Sequence, residues 1–442
     1  MANARITQYL YEFIWTRIKI SEEDKPLLVS GTLIALRNHD FVESFSSYSE
    51  GELPGEWFRA IRNVLGTAEL PQIRIDKMIQ PYASVAAQPS LTNLGSKLIK
   101  QYPKGVLYEV VKEINDHIIN AYDDPDIAGH FYEEFLQYIG GNKNALGIIL
   151  TPRHIAELFC EITDVTNKDI VLDICAGTGG FLLSAMKTML STANTDEEKE
   201  DIKNNRLIGI EHNPKIYTLA ESNMLLHGDV KANIYQGSCF DNTITEVVKD
   251  MNPNIGLLNP PYSQSNRGDE LHELYFVKHM LDQLQEGGIG LAIIPVSCVS
   301  SPSPAKQDIL VSHTLKAVMS MPNALLYPIT TVTCIVVFEA HKPHLKSNNK
   351  TWFGYWKDDG YERTKELGRV DLPKRWENIK IQWLEAYRST EVHPGRSAAA
   401  YVTSDDEWVP EAYMETDYSK LTKNDFEKIV KNYAVFKLLN ET

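Results

Sequence analysis

Ile170-Val-Leu-Asp-Ile-Cys-Ala-Gly-Thr-Gly-Gly-Phe181 runs without a break into Leu182-Leu-Ser-Ala-Met186. A short apolar run, a glycine-rich turn and a second apolar run with helical spacing read as strand, turn and helix. Gly177, Gly179 and Gly180 permit tight backbone angles and let the main chain approach a ligand closely. The turn is not a Walker loop, because no Gly-Lys-Ser/Thr follows. Nor is it a dinucleotide Gly-x-Gly-x-x-Gly turn, because Phe181 directly follows the glycine pair. Asp173 stands just before the turn, where a carboxylate could receive an ammonium or a backbone-bound water. A glycine turn alone is weak evidence, so the flanks must carry the argument.

Downstream, Arg206-Leu-Ile-Gly-Ile210 reads as a second strand ending in Glu211. An acidic residue at that position of a doubly wound fold grips ribose hydroxyls; in isolation Glu211 would be a surface carboxylate. A helix from Lys215 to Leu226 leads to a third strand, Asn233–Gln236, and then to Gly237-Ser-Cys-Phe-Asp241. The fourth strand, Asn254-Ile-Gly-Leu-Leu258, stops at Asn259-Pro-Pro-Tyr262. Two prolines cannot continue a central strand, since neither offers an N–H and each ring fixes φ. An amide, two carbonyls and an aromatic ring are therefore expected at the carboxyl edge of a sheet, where ligands bind in open α/β folds. Leu271–Leu284 reads as an amphipathic helix and Ile289–Ile294 as a fifth strand. Leu315–Met321 and Thr333–Phe338 are two further strands able to pair antiparallel at the sheet edge. Strands alternating with helices predict an α/β, doubly wound, Rossmann-like domain over 146–340.

Upstream, Thr151-Pro152-Arg153-His154-Ile155 starts a helix, with Thr151 as its expected cap and proline in the first turn. Such an N-terminus can also hold a carboxylate, although most are structural. Residues 1–145 read as a helical N-terminal domain: Tyr9, Leu10, Phe13, Ile14 and Ile18 share one helix face. Tyr48–Glu56 and Tyr82–Thr92 look like connections, and polar 191–205 like a solvated loop or helix end. Residues 341–442 read as a small C-terminal extension whose interleaved basic and aromatic side chains suit DNA or partner contacts, or equally packing against the catalytic domain. Within it Tyr361–Val370 suggests a small β unit, and Trp376–Tyr387 and Asp425–Leu439 have helical spacing.

At 442 residues the chain can bury two or three cores. It has no apolar run long enough to span a bilayer and no secretory leader pattern, so a cytoplasmic location is expected. Five scattered cysteines (Cys160, Cys175, Cys239, Cys298, Cys334) form no Cys-x-x-Cys pair and read as reduced and mostly buried, not as metal ligands. No metal is expected. The net charge of −15 argues against unaided nucleic-acid binding. Residues 341–400, with twelve basic and eight acidic side chains, are the one positive segment.

Asp173-x-Cys-Ala-Gly-Thr-Gly-Gly-Phe181, then Gly209-Ile-Glu-His-Asn-Pro214, Leu225-Leu-His-Gly228 and Asn259-Pro-Pro-Tyr262, resemble S-adenosylmethionine-dependent N6-adenine DNA methyltransferases. With the upstream Thr-Pro element, the order is similar to the modification subunit of type I restriction-modification systems and to related type II enzymes. The likeness is good over about 130–340, loose before and faint after. It implies that S-adenosyl-L-methionine is the cofactor. Thr151 and the turn Ala176, Gly177, Thr178, Gly179, Gly180 and Phe181 would lie near its methionine part, with Asp173 near its amino group. Glu211 would hold the ribose. The family often has an acidic residue for the cofactor's adenine where this chain has Ser238. Asp241 follows three residues later, and Phe240 could pack on the ring. Asn259 and the Pro260 carbonyl would accept hydrogen bonds from the target amino group, Pro261 would stiffen the turn, and Tyr262 would stack on the flipped base.

The implied partners are double-stranded DNA and a specificity subunit, because 341–442 shows no target-recognition domain. A restriction subunit would carry cleavage, since no nuclease or Walker pattern occurs here. The rival readings are a protein-glutamine or RNA amino-methyltransferase and a self-sufficient type II DNA enzyme.

Overall fold

The structure, a computed structural model, describes residues 2–68, 70–92, 96–119, 127–143, 149–228, 232–262, 272–326, 330–345, 349–364, 368–417 and 422–440. The strands are β1 Val171–Asp173, β2 Leu207–Glu211, β3 Asn233–Gln236, β4 Ile255–Leu258, β5 Ile289–Pro295, β6 Thr314–Ser320, β7 Thr333–Glu339, β8 Thr351–Tyr355, β9 Glu362–Thr364, β10 Gly368–Val370 and β11 Ser397–Ala400. Among the described residues, nine of these make one sheet in the order β11-β8-β6-β7-β5-β4-β1-β2-β3. β3, β2, β1, β4 and β5 are parallel, and β7 enters antiparallel between β5 and β6. The central strands are buried on both faces, which explains their continuous Val/Ile/Leu composition.

The chain passes from one side of the sheet to the other between β1 and β4. Leu172 pairs with Ile208 on one side and with Gly256 on the other. The segments that leave β1 and β4, the glycine turn and Asn259–Tyr262, therefore emerge side by side at the carboxyl edge. That is the topological switch point, where a crevice opens.

The antiparallel pair expected at the sheet edge exists as β6 and β7, but it is not the edge. β8 lies parallel beside β6, and β11 antiparallel beside β8, so the sheet continues past residue 340. The expected small β unit is the antiparallel pair of β9 and β10. The two expected C-terminal helices span Trp376–Ser389 and Lys423–Asn440.

The N-terminal segment is helical as expected, and the boundary expected near residue 145 lies outside the described residues. Leu10, Phe13, Ile14 and Ile18 are buried. The connections expected at 48–56 and 82–92 are shorter than read. The helix Leu53–Thr67 begins inside the first, and the helix Gln72–Ala86 runs into the second. The helix Lys25–Ala35 is buried along its whole length. Pro214–Leu226, capped by Asn213 on the Lys215 and Ile216 N–H groups, is buried from Ile216 to Leu226, because the N-terminal helices cover its outer face.

The polar stretch 191–205, expected as a solvated loop or helix end, contains a helix of its own, Asp196–Asn205. Thr195 caps it, and Glu198 returns a bond to the Asn194 N–H at 2.6 Å. Caps and first-turn acids, not an apolar face, hold it. The described start of the next expected helix is Glu273, and Leu271 lies outside the described residues. Cys160, Cys239, Cys298 and Cys334 are buried free thiols and Cys175 is half-buried. No described helix is long and apolar enough to cross a membrane.

Candidate active site

Two carboxylates and one amide converge at the switch point. Glu211, at the end of β2, reaches across to the glycine turn: its Oε2 accepts the Gly177 N–H at 3.0 Å, and Oε1 accepts the Asn213 N–H at 2.7 Å. Each oxygen keeps a second lone pair for a ligand. Asp173 is buried, with Oδ1 accepting the Cys175 N–H at 3.0 Å. Burial pushes its carboxyl up to about 8, opposed by the Cys175 bond and assisted by the charge of Glu211. Burial likewise raises Glu211, against the bonds from Asn213 and Gly177. A buried acid and a half-buried one at the same sheet edge suit a cationic ligand carrying hydroxyls.

The turn between them is built for close approach. Gly177 and Gly179 have φ of 54° and 81°, the left-handed region where a side chain is strained. A Cβ on Gly180 would meet nothing within 4 Å. The turn is clamped from the side by Asn223, whose Nδ2 donates to the Thr178 carbonyl at 3.0 Å. Ala176 and Thr178 are buried, and Phe181 points inward onto Phe159 at 4.7 Å. The Phe181 ring therefore belongs to the core, and its backbone is what remains to face a ligand.

Asn259 leaves β4 with Nδ2 donating to Thr151 Oγ1 at 3.0 Å and to the Ile149 carbonyl at 3.4 Å. Among the described residues, its Oδ1 is buried without a hydrogen-bond partner. A buried acceptor left open is costly unless something fills it. Pro260 is buried and Pro261 exposed. The Tyr262 hydroxyl donates to the Ile293 carbonyl of β5 at 3.4 Å, which pins the far end of the ring.

Thr151 does not cap its helix as expected. The helix is Arg153–Ile162, Pro152 is its N-cap residue, and no side chain caps it. The hydroxyl is engaged by Asn259 instead, and the Thr151 carbonyl accepts from Gln137 Nε2 at 3.3 Å.

Past β3, the Ser238 hydroxyl accepts the Phe240 N–H at 3.3 Å. Asp241 caps the helix Asn242–Asp250 through the Thr243 and Ile244 N–H groups. Phe240 is 40% exposed and packs on Phe276 and His279.

Sequence reading missed Ile149, Asn223 and Gln137, which act through partners far along the chain. It also missed a cluster beside the site. His272, Glu273 and Cys298 bring donor atoms within 4.8 Å of one another, a spacing that could hold a metal ion. In the structure Cys298 Sγ donates to Glu273 at 3.4 Å, and His272 Nδ1 accepts the Leu274 N–H.

The sequence profile of the N-6 DNA Methylase family matches residues 123–441. The chain is 34% identical to the type II restriction enzyme and methyltransferase RM.BcgI of Heyndrickxia coagulans over 98% of its own length and 69% of that protein. It is 25% identical to the methylase subunit of the type I restriction enzyme EcoKI of Escherichia coli, over 48% of this chain and 44% of that one. It thus spans under half the length of that methylase subunit. The type I restriction-modification methyltransferase subunit of Streptococcus thermophilus superposes with a TM-score of 0.64 at 15% identity, covering 94% of this chain and all of that one.

Proposed function

We propose, from the premise that this chain belongs to the N-6 DNA Methylase family, that it methylates the N6 amino group of adenine in duplex DNA as the modification subunit of a restriction-modification system. Protein-glutamine and RNA acceptors are not favoured by that membership.

S-adenosyl-L-methionine, when bound, supplies an electrophilic methyl on a sulfonium. The residues present fit it. Asp173 is a buried carboxylate for its ammonium, Glu211 keeps free lone pairs for its ribose, and the open face of Gly180 leaves room for close approach. Ser238 and Asp241 both flank the expected adenine position. Asp241 caps its helix through Oδ1 alone and keeps Oδ2 to accept from an adenine amino group. The Ser238 hydroxyl keeps its proton to donate, and the exposed Phe240 ring offers a face.

The observation that carries the reading is the open acceptor of Asn259. An aromatic amino nitrogen is a poor nucleophile because its lone pair is delocalised into the ring. Asn259 Oδ1 and the Pro260 carbonyl, both fixed on a rigid turn, take hydrogen bonds from its two protons. This favours a pyramidal nitrogen with its lone pair turned toward the methyl. Orientation and preorganised dipoles do this work without a protein nucleophile. Tyr262 offers a ring for the base taken out of the duplex, offsetting part of the unstacking cost.

A separate specificity subunit is assigned to reading the sequence, and cleavage to a further subunit. In support, the helix Lys423–Asn440 is exposed along its described length, with Phe426, Ile429, Val430 and Tyr433 47–65% exposed at helical spacing. Such a stripe suits a partner helix. Identity to RM.BcgI over nearly the whole chain favours a second reading, a type II system.

The test is transfer of labelled methyl to duplex DNA with nucleoside analysis, for the chain alone and with its candidate specificity partner. N6-methyladenine only with the partner supports the main reading, and product from the chain alone supports self-sufficiency. Asn259→Ala should abolish turnover and leave cofactor binding intact; undiminished methylation by that variant would sink the site assignment.

A further inference from the structure

We propose that Thr151 is a positioning residue: its hydroxyl holds the Asn259 amide in the orientation that the Ile149 carbonyl selects, with Oδ1 toward the target base. The inference rests on the reading of Asn259 as acceptor for the target amino group.

An asparagine amide can turn end for end unless its neighbours distinguish nitrogen from oxygen. Here they do. The Ile149 carbonyl, 3.4 Å away, can only accept, so it demands Nδ2. Thr151 Oγ1, at 3.0 Å, supplies the shorter of the two bonds to the same nitrogen. The Thr151 hydroxyl, able to bond either end, accepts from Nδ2 once the carbonyl has selected it. The two bonds hold the NH2 group toward the 149–151 segment and leave Oδ1, among the described residues, buried and unpaired. In the opposite orientation Oδ1 would face the Ile149 carbonyl, lone pair against lone pair. An NH2 group would then meet the NH2 group of the target, two donors with no bond between them.

The position of the hydroxyl is set from outside the catalytic turn. Gln137, on the helix Ile127–Lys143, holds the Thr151 carbonyl at 3.3 Å. Pro152, with φ −58°, fixes the chain as it enters the helix Arg153–Ile162. Two helices upstream of the sheet thus aim an amide that leaves β4. The role is compatible with a cofactor contact, because a hydroxyl that accepts from Asn259 keeps its own proton to donate. What distinguishes positioning is an effect that persists when cofactor is saturating.

The experiment compares wild type, Thr151→Val, Thr151→Ala, Thr151→Ser and Asn259→Ala in the full chain, with its specificity partner where wild type needs one. Three quantities are read: single-turnover methylation at saturating S-adenosylmethionine, cofactor Kd by calorimetry, and Tm. Val and Ala, which lack the hydroxyl, should slow the saturated rate by about tenfold to a hundredfold, the range of one lost buried hydrogen bond. Their cofactor Kd should stay within about threefold of wild type on the same scale, and Ser should restore the rate. A folded Val or Ala variant with the wild-type saturated rate overturns the proposal, as does a defect confined to cofactor Kd or a Ser variant as slow as Val. If Asn259→Ala is itself fully active, the reading of Asn259 has failed first and takes this inference with it.

Discussion

Asp173 stands at the end of β1 with its carboxyl pushed up to about 8, chiefly by burial, against the Cys175 N–H and with the Glu211 charge adding to the rise. Its folded-state pKa lies above the ordinary 3.8. Between those values the fold holds a proton that the unfolded chain releases. The ligand-free protein therefore loses stability from this group as pH rises from 3.8 toward 8. Asp173→Asn should raise Tm more at pH 8 than at pH 5, and an equal shift at both would refute the assignment. An ammonium placed beside Asp173 needs the carboxylate, so cofactor binding below pH 8 must expel a proton. Kd should tighten as pH rises from 6.5 to 8, by at most about tenfold per unit, and level off above. Calorimetry across that range checks this, with Asp173→Asn expected to flatten the slope.

Between β1 and the helix Gly180–Thr192, the glycine turn separates backbone need from ligand need. At Gly179 the φ of 81° is the constraint: an added Cβ would meet Ala220 and Met224 no nearer than 3.8 Å. Gly179→Ala should cost about 1–2 kcal/mol through strain alone. Gly180 is the opposite case, with no positive φ and no atom within 4 Å of an added Cβ. Gly180→Ala should leave Tm unchanged or slightly higher, since alanine suits a helix better than glycine. It should nevertheless weaken cofactor binding if the cofactor occupies the open space. Melting curves and Kd measured on the same two proteins distinguish the effects. Unaltered cofactor affinity in Gly180→Ala would move the ligand away from this turn.

Across the whole molecule, the N-terminal helices and the sheet share one hydrophobic core. Their joint is polar at its centre. Arg74 donates to both oxygens of Glu221 at 2.6 and 2.8 Å, and Ser30, Tyr82 and Ser222 form a buried hydrogen-bonded chain. Glu221 and Ser222 lie on the same helix as Asn223, which clamps the glycine turn. Loss of Arg74 leaves a buried carboxylate without its cation. Arg74→Ala should cost about 3–5 kcal/mol in urea unfolding, whereas replacing both partners by apolar residues of similar size should recover most of it. A single-variant loss below about 1 kcal/mol would mean that Glu221, whose carboxyl burial already pushes up, takes a proton or meets water once Arg74 is gone.

The strands, the glycine turn and the Asn-Pro-Pro-Tyr turn were legible in the sequence because their causes are local. Proline lacks an N–H, glycine alone tolerates φ near +80°, and a strand buried on both faces reads as an unbroken apolar run. Those constraints determined the α/β alternation and the order of the motifs. The helix Asp196–Asn205 escaped because it has no apolar face to give a period, and the inward aim of Phe181 because a turn's sequence does not say which side is core. β8 and β11 joined the sheet because the β6 edge offered unpaired backbone groups, a matter of placement and not of composition. Asn259 and Thr151 meet although 108 residues separate them. Backbone preference acts within a few residues, so it could announce an amide at the sheet edge. Which end of that amide is left unpaired depends on the partners that packing brings to it, and only the tertiary structure decided that.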